Sequence, residues 1–289
     1  MPGYSKEFIV KPGEKIKLKN IRTDYHGSYK SHKKADPEIS KHLIKMDELQ
    51  YLMYAEHRHS LLVILQGLDG AGKDGVIRHV LAGMNSQGCV VTSFKQPTSE
   101  ELDHEFLWRV HPHSPCKGSV AIFNRSDYED VLIAKVHKNI SDKECANRFQ
   151  LINDFEKLLF KENKTTILKF FLHISKEEQL ERFGDRLKDP ARQWKISDND
   201  YKEREYWNQY MKAYEDLLRN TSTQHAPWFV IPSDHKWFRN LAVSQIITTT
   251  LENLKMKPPE PTVDIDKIRK KYHSEKTEEK FLKNKSNSR

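Results

Sequence analysis

Leu61-Leu62-Val63-Ile64-Leu65 runs through Gln66 into Gly67-Leu68-Asp69-Gly70-Ala71-Gly72-Lys73-Asp74-Gly75, and this junction decides the fold class. Five consecutive apolar residues without alternation suit a strand buried on both faces, as in a parallel sheet. The glycines that follow match most of the phosphate-loop pattern, Gly67-x-x-x-x-Gly72-Lys73, with a strand before it and a helix after it. Glycine lets backbone N–H groups turn inward on phosphate oxygens, and a helix N-terminus adds a field that favours negative charge. Lys73 adds a cation at the phosphate to be transferred. Gly67, Gly70, Ala71, Gly72, Lys73, Asp74 and Gly75 are therefore the expected phosphate-binding set. A tight strand-to-helix turn would also use glycines, but it would not need the lysine. One position departs from the pattern. Asp74 stands where a Ser or Thr usually ligates magnesium, which makes Asp69 the better candidate to meet the metal.

Outward from this junction, short apolar runs alternate with helical patterns. Strands are expected at 89–94, 119–124, 166–174 and 228–231, and helices at 73–86, 99–110, 141–161 and 236–254. Ser141-x-x-Glu144 and Ser175-x-x-Glu178 are capping-box signatures that open helices. Asp36-Pro37-Glu38 reads as another helix start, with the helix running to about His57. This order predicts one α/β domain over 36–255 with a mostly parallel five-stranded sheet covered on both faces. The long helical stretch between the fourth and fifth strands, about 176–220, is the place for a lid. Residues 1–35 form a basic arm that either wraps the domain, contacts a polyanion, or stays a partly ordered leader. Residues 256–289 are a charged extension after Pro-Pro-Glu-Pro.

A formal net charge of +8 in 289 residues points to anionic partners: phosphates, nucleic acid or acidic lipid. Cys89, Cys116 and Cys145 are far apart, so neither a disulfide framework nor a thiolate zinc site is indicated. There is no apolar leader and no run long enough to span a bilayer, so the expected location is the cytoplasm, away from membranes.

Two further constellations carry chemistry. Asn124-Arg125-Ser126-Asp127-Tyr128-Glu129-Asp130 follows the third strand, and ligands collect at the carboxyl ends of strands in such sheets. Arg125 has a planar fork for phosphate, and Glu129 and Asp130 suit a magnesium ion or an acceptor nucleotide. The plainer alternative is a solvated helix N-terminus, where acids are favoured anyway. The second constellation is Arg182, Arg186, Lys188, Arg192 and Lys195, in which Arg182 and Arg186 share a helix face and Trp194 serves as an apolar anchor. Such an array neutralises a transferring phosphoryl group; an ordinary charged face has the same composition. His111 and His113 read as a surface loop, and Trp207, Tyr210 and Tyr214 as packing.

Taken together, GLDGAGKDG, IFNRSDYEDVL, RFGDRLKDPARQWK and APWFVIPSDHKWFRNL resemble the family-2 polyphosphate kinases over roughly residues 40–255. The resemblance implies a three-layer α/β/α P-loop kinase fold with a helical lid. It also implies reversible transfer of the terminal phosphoryl group of inorganic polyphosphate to a nucleotide, with magnesium (manganese as a substitute), by a homo-oligomer. Asn124-Arg125-Ser126 with Glu129 resembles the subgroup that accepts both AMP and ADP and yields ADP and ATP. In that frame the polyphosphate end sits on the glycine loop, with Lys195 among its contacts. Asn124, Arg125 and Glu129 meet the nucleotide, and Asp69 with Asp130 holds the metal. Lys73, Arg125, Arg182 and Arg186 spread the transition-state charge. Two other readings stay open: a nucleoside triphosphate-dependent kinase on the same fold, and a nucleic-acid binder with a vestigial loop, although no specific nucleic-acid module is present.

Overall fold

The computed structural model describes residues 3–273. The chain divides into two compact units, Met1–Met256 and Lys257–Arg289. The first unit is built on five parallel strands: β1 (Ser60–Gln66), β2 (Cys89–Ser93), β3 (Val120–Asn124), β4 (Thr165–His173) and β5 (Trp228–Pro232). Their order across the sheet is β2-β3-β1-β4-β5. The strand that ends in the glycine loop is therefore central, between β3 and β4. Leu65 lies beside Asn124 in register, so the 124–130 motif emerges next to the loop.

Both faces of β1 are buried, as an unbroken apolar run requires. Leu61, Val63 and Leu65 pack on one side with α2 (His32–Glu56), α3 (Lys73–His79) and α10 (Lys236–Asn253). Leu62 and Ile64 pack on the other with α5 (Tyr128–Val136), α6 (Asp142–Asn163) and α9 (Trp207–Thr221). Two apolar cores thus sandwich one sheet, the α/β/α arrangement expected. The remaining helices of this unit are α1 (Tyr4–Phe8), α4 (Ser99–Leu102), α7 (Lys176–Lys188) and α8 (Asp198–Glu205). The second unit contains α11 (Ile265–Tyr272), capped by Asp264 on the Lys267 N–H at 2.9 Å.

Several local expectations are corrected. The second helix begins at His32 and carries Pro37 inside it. The first turn forms on Ser31, whose carbonyl accepts from Lys34 and Ala35 (3.1 and 3.2 Å), and buried Ala35 anchors that turn to the core. The N-terminal segment before it wraps the domain. Val10 and Leu18 are buried, Ile9 bridges to Phe229, and Tyr4 N donates to Gln245 Oε1 at 2.8 Å. Helix 99–110 shrinks to one capped turn, because the Glu105 side chain accepts from Leu107 N (2.7 Å) and opens a separate turn. The helix after the loop ends at His79 and is followed by a 3-10 turn, Leu81–Gly83. At Ser175 only half the capping box forms, since Glu178 turns to Arg182 instead. Residues 176–220, where a lid was expected, are not exposed throughout. Helix α9 buries Tyr210, Tyr214, Leu217 and Leu218 in the second core, and α7 buries Gln179, Arg182 and Phe183, so the exposed excursion lies between them. Trp194 is no anchor for the segment: the residue is 77% exposed, with the Lys195 ammonium 5.0 Å from its ring centre.

Among the described residues no helix is long and apolar enough to cross a membrane. The three cysteines are free.

Candidate active site

The glycine loop is shaped from outside by side chains that take up its carbonyl oxygens. Lys73 Nζ donates to Gly67 O (2.6 Å) and, more weakly, to Leu68 O (3.5 Å), which also accepts from Ala71 N (3.0 Å). Gln179 Nε2 donates to Asp69 O at 2.7 Å. Arg182 Nη1 donates to Gly70 O and Ala71 O at 2.8 and 3.2 Å, and Val76 N to Gly72 O at 3.1 Å. Every carbonyl from Gly67 to Gly72 is thereby satisfied. In a trans peptide the N–H points opposite the C=O. Holding the Asp69 and Ala71 carbonyls from outside turns the Gly70 and Gly72 N–H groups toward the ligand side, the arrangement that binds phosphate oxygens. Glycine is required at Gly67, where φ is +150° and a Cβ would stand 2.8 Å from the Leu172 carbonyl oxygen.

Charges converge on this loop. Arg125 Nη2 donates to Asp69 Oδ1 at 2.6 Å, and Lys73 Nζ lies 3.9 Å from the same oxygen. Burial works to raise the Asp69 carboxyl, but Lys73 and Arg125 outweigh it and hold it below the usual range. Burial lowers the Lys73 ammonium, with Asp69 opposing. Arg125 sits in the left-handed region at φ 66°, with its N–H on Leu65 O at 3.1 Å, and this turn brings its side chain to the loop. Burial raises Glu129, against the pull of Arg125 and Lys73. Asp74 accepts from Asn124 Nδ2 (3.0 Å) and from Lys195 Nζ (3.1 Å), so the excursion after α7 is latched to the start of α3. Arg186 contributes to lowering Asp69, while its own fork stands 3.9 Å from Asp200 and its guanidinium carbon 5.2 Å from the Phe183 ring centre.

The structure thus groups Asp69, Lys73, Asp74, Asn124, Arg125, Glu129, Arg186 and Lys195. Arg182 is placed differently from the expectation. Its five N–H donors go to Glu178 Oε1 (2.7 Å), Gly70 O, Ala71 O, Ser233 O (2.6 Å) and Asp234 O (2.9 Å), so it braces the loop and has no donor left for a phosphate. Asp130 is raised by burial, with Arg109 and Arg148 as its main opposing charges. Among the described residues no group of three or more His, Cys, Asp or Glu side chains is placed to share one metal ion. His111 and His113 form a 3-10 turn and pack on Phe155 and Phe94.

Two buried features escaped the sequence reading. Arg239 on α10 lies against Gly72 and Gly75 from behind. Lys169, in the middle of β4, donates to Glu156 Oε2 (2.6 Å), Tyr128 Oη (3.0 Å) and Thr221 O (2.7 Å), forming a buried polar knot under the 124–130 motif. A lysine inside Thr165–His173, otherwise apolar at its centre, is the signal that could have shown it.

Residues 29–259 match the family model for polyphosphate kinase 2. The chain belongs to the polyphosphate kinase 2 family. It is 44% identical over 264 residues to an AMP/ADP-polyphosphate phosphotransferase of Meiothermus ruber, covering 91% of this chain and 98% of that one. It is also 44% identical over 270 residues to an ADP-polyphosphate phosphotransferase of Rhodopseudomonas palustris, covering 89% and 93%. The crystal structure of polyphosphate kinase 2 from Arthrobacter aurescens superposes with a TM-score of 0.88 at 38% identity, over 92% of this chain and 95% of that one.

Proposed function

We propose that this chain is a polyphosphate-dependent nucleotide kinase that transfers the terminal phosphoryl group of inorganic polyphosphate to AMP and to ADP, giving ADP and ATP. The observation that carries the reading is the loop whose Asp69, Gly70 and Ala71 carbonyls are held from outside by Gln179 and Arg182, with Lys73 and Arg125 at its mouth. A donor made only of phosphates needs N–H groups and cations, which the loop offers. The names carried by the Meiothermus ruber and Rhodopseudomonas palustris relatives support polyphosphate as donor and adenine nucleotides as acceptors.

In the proposed reaction an oxygen of the acceptor's terminal phosphate attacks the end phosphorus of the polymer. The bond from that phosphorus to its bridging oxygen breaks, and the electron pair leaves with the shortened chain. The acceptor oxygen is already ionised at neutral pH, so no side chain has to remove a proton. Catalysis is positioning and charge dispersal. Lys73 and Arg125 face the transferring group, Arg186 and Lys195 follow the chain outward, and Glu129 with Asn124 orients the acceptor. Magnesium is bound in such sites through one or two carboxylates and the substrate phosphates. Asp69, at the loop mouth and held ionised, fits that role; Asp130 is the second carboxylate proposed. The ion, held by these carboxylates, would supply positive charge that neutralises the phosphates. Assembly into a homo-oligomer is part of the same proposal.

The test is product formation by the purified protein with magnesium, long-chain polyphosphate and AMP, with no nucleoside triphosphate added. ADP followed by ATP is the expected result. Inert AMP with active ADP would remove the acceptor role given to Glu129. Turnover only with a nucleoside triphosphate would replace the proposal by an ordinary nucleotide kinase.

A further inference from the structure

Arg239 is 2% exposed, and among the described residues no carboxylate lies within ion-pair distance of it. Its Nε and Nη2 donate to the Asn240 side-chain oxygen (3.2 and 2.9 Å), and Nη1 reaches Ala71 O at 3.4 Å. The guanidinium packs directly against the loop. A Cβ on Gly72 would collide with Nη1, and one on Gly75 would stand 2.7 Å from Nη2. The nearest charge is another cation, Arg182, which holds Gly70 O and Ala71 O from the same side. Burial and that neighbour push the guanidinium down to about 9.

A buried cation beside a second cation is unfavourable unless something offsets it. Among the described residues, Arg182 has Glu178, whereas Arg239 has only neutral oxygens. What faces Arg239 across one thickness of backbone is the concave side of the phosphate loop. A polyanion seated there supplies the missing counter-charge through a medium of low dielectric, where Coulomb terms are large. The hydrogen bond to Ala71 O acts in the same direction, because it turns the Gly72 N–H toward the ligand side.

We propose that Arg239 is a positioning residue for the phosphate loop: from behind Ala71 and Gly72 it aims the loop's N–H donors and raises affinity for the phosphate chain without touching it. This rests on the reading of residues 67–75 as the donor site. Removing one unit charge about 10 Å from a phosphate at an effective dielectric of about 20 corresponds to roughly tenfold in affinity.

The experiment compares wild type, Arg239→Gln and Arg239→Lys. Gln removes the charge and keeps a donor for Ala71 O; Lys keeps the charge. Two readouts are taken: the rise in Tm with long-chain polyphosphate alone, and KM and kcat with ADP. Arg239→Gln is expected to melt at or above the wild-type temperature without ligand, to lose at least half of the polyphosphate-induced rise, and to show about a tenfold higher KM for polyphosphate with an unchanged KM for ADP. Arg239→Lys is expected to restore the KM to within about threefold of wild type. A wild-type Tm rise and KM in Arg239→Gln would overturn the proposal. If that variant does not fold, Arg239→Lys decides alone, and a tenfold rise in its KM despite the retained charge would overturn it. If wild type itself shows no rise with polyphosphate, the donor assignment has failed. The same comparison with inorganic tripolyphosphate then decides Arg239: a smaller rise in Arg239→Gln than in wild type upholds the proposal, and any other result overturns it.

Discussion

Asp127→Asn is expected to make the protein more stable at alkaline pH than at acidic pH relative to wild type. The Asp127 carboxyl is pushed up to about 7, first by burial and then by the Glu156 carboxylate, with Ser126 offsetting part of the effect. One of its oxygens, Oδ2, is buried without a hydrogen-bond partner. A carboxyl whose folded value is raised binds its proton more tightly when folded. Its contribution to stability is therefore fully present below the unfolded value of 3.8 and is lost as pH rises toward 7. Between pH 5 and pH 7 the folded state holds about one more proton than the unfolded state, at about 1.4 kcal/mol per pH unit. Wild type should thus lose about 3 kcal/mol from this group between pH 5 and pH 8. Asn has the same shape and no charge, so its variant should not. Urea unfolding of both proteins at pH 5 and pH 8 gives the double difference directly. A difference between the two proteins that stays constant within about 0.5 kcal/mol across this range would refute the argument, because it would mean that Asp127 is ionised in the fold at both values.

Three more perturbations test other parts of the site. Lys73→Ala should lower kcat by about a thousandfold or more while near-UV circular dichroism stays native, since it removes a cation aimed at the transferring group; full activity would discard the assignment. Lys169→Met leaves Glu156 buried next to Asp127 with no cation, and should cost about 3–5 kcal/mol in urea unfolding, with the Lys169→Met, Glu156→Gln double variant recovering part of it; a loss below about 1 kcal/mol would show that Glu156 is not ionised there. Asp74→Ala frees Lys195 from its latch. This partly exposed pair contributes at most about 1 kcal/mol, so global stability should hold while limited proteolysis between residues 188 and 198 speeds up; an unchanged cleavage rate would mean that the latch does not hold the excursion.

What could be read from the sequence is what depends on near neighbours along the chain. The β1 run, the glycines and Lys73 carry their geometry within sixteen residues, and Ser141 with Glu144 closes its capping box over three, as both side-chain bonds show. Asn124 and Arg125 were readable one step further, because a short parallel strand ending beside β1 can deliver its next residue only to the loop. Arg182 shows where this stops. Its spacing from Arg186 predicts a shared face, but its donors are taken by Gly70 and Ala71, 112 and 111 residues away, and no local pattern encodes that. Arg239 is the buried one of two cations in a helix that also buries Phe238, Leu241, Ala242 and Val243, and its partner Ala71 is 168 residues distant. Asp36-Pro37-Glu38 misled for the opposite reason: the local signature is sound, but a buried Ala35 makes an earlier turn worth keeping.

These contacts divide the cations of the site into two kinds. At the mouth of the loop each cation already has an acid: Arg125 and Lys73 share Asp69, Lys195 holds Asp74, and Arg186 stands near Asp200. A phosphate chain arriving there must displace carboxylates, so each new ion pair is partly an exchange for an old one, and the net gain per contact is small. That suits a polymer whose end is consumed and must be re-seated after every transfer. Behind the loop the arrangement is different. Arg182 is fixed by five acceptors, and Arg239 has no acid to give up. Like the loop's own N–H donors, its field is a contribution that an incoming phosphate receives without displacing a carboxylate. On the proposed donor site, the front would set how readily the chain slides and leaves, and the back how firmly the terminal phosphate is held, which is why loss of charge at Arg239 should weaken the donor and leave the acceptor untouched.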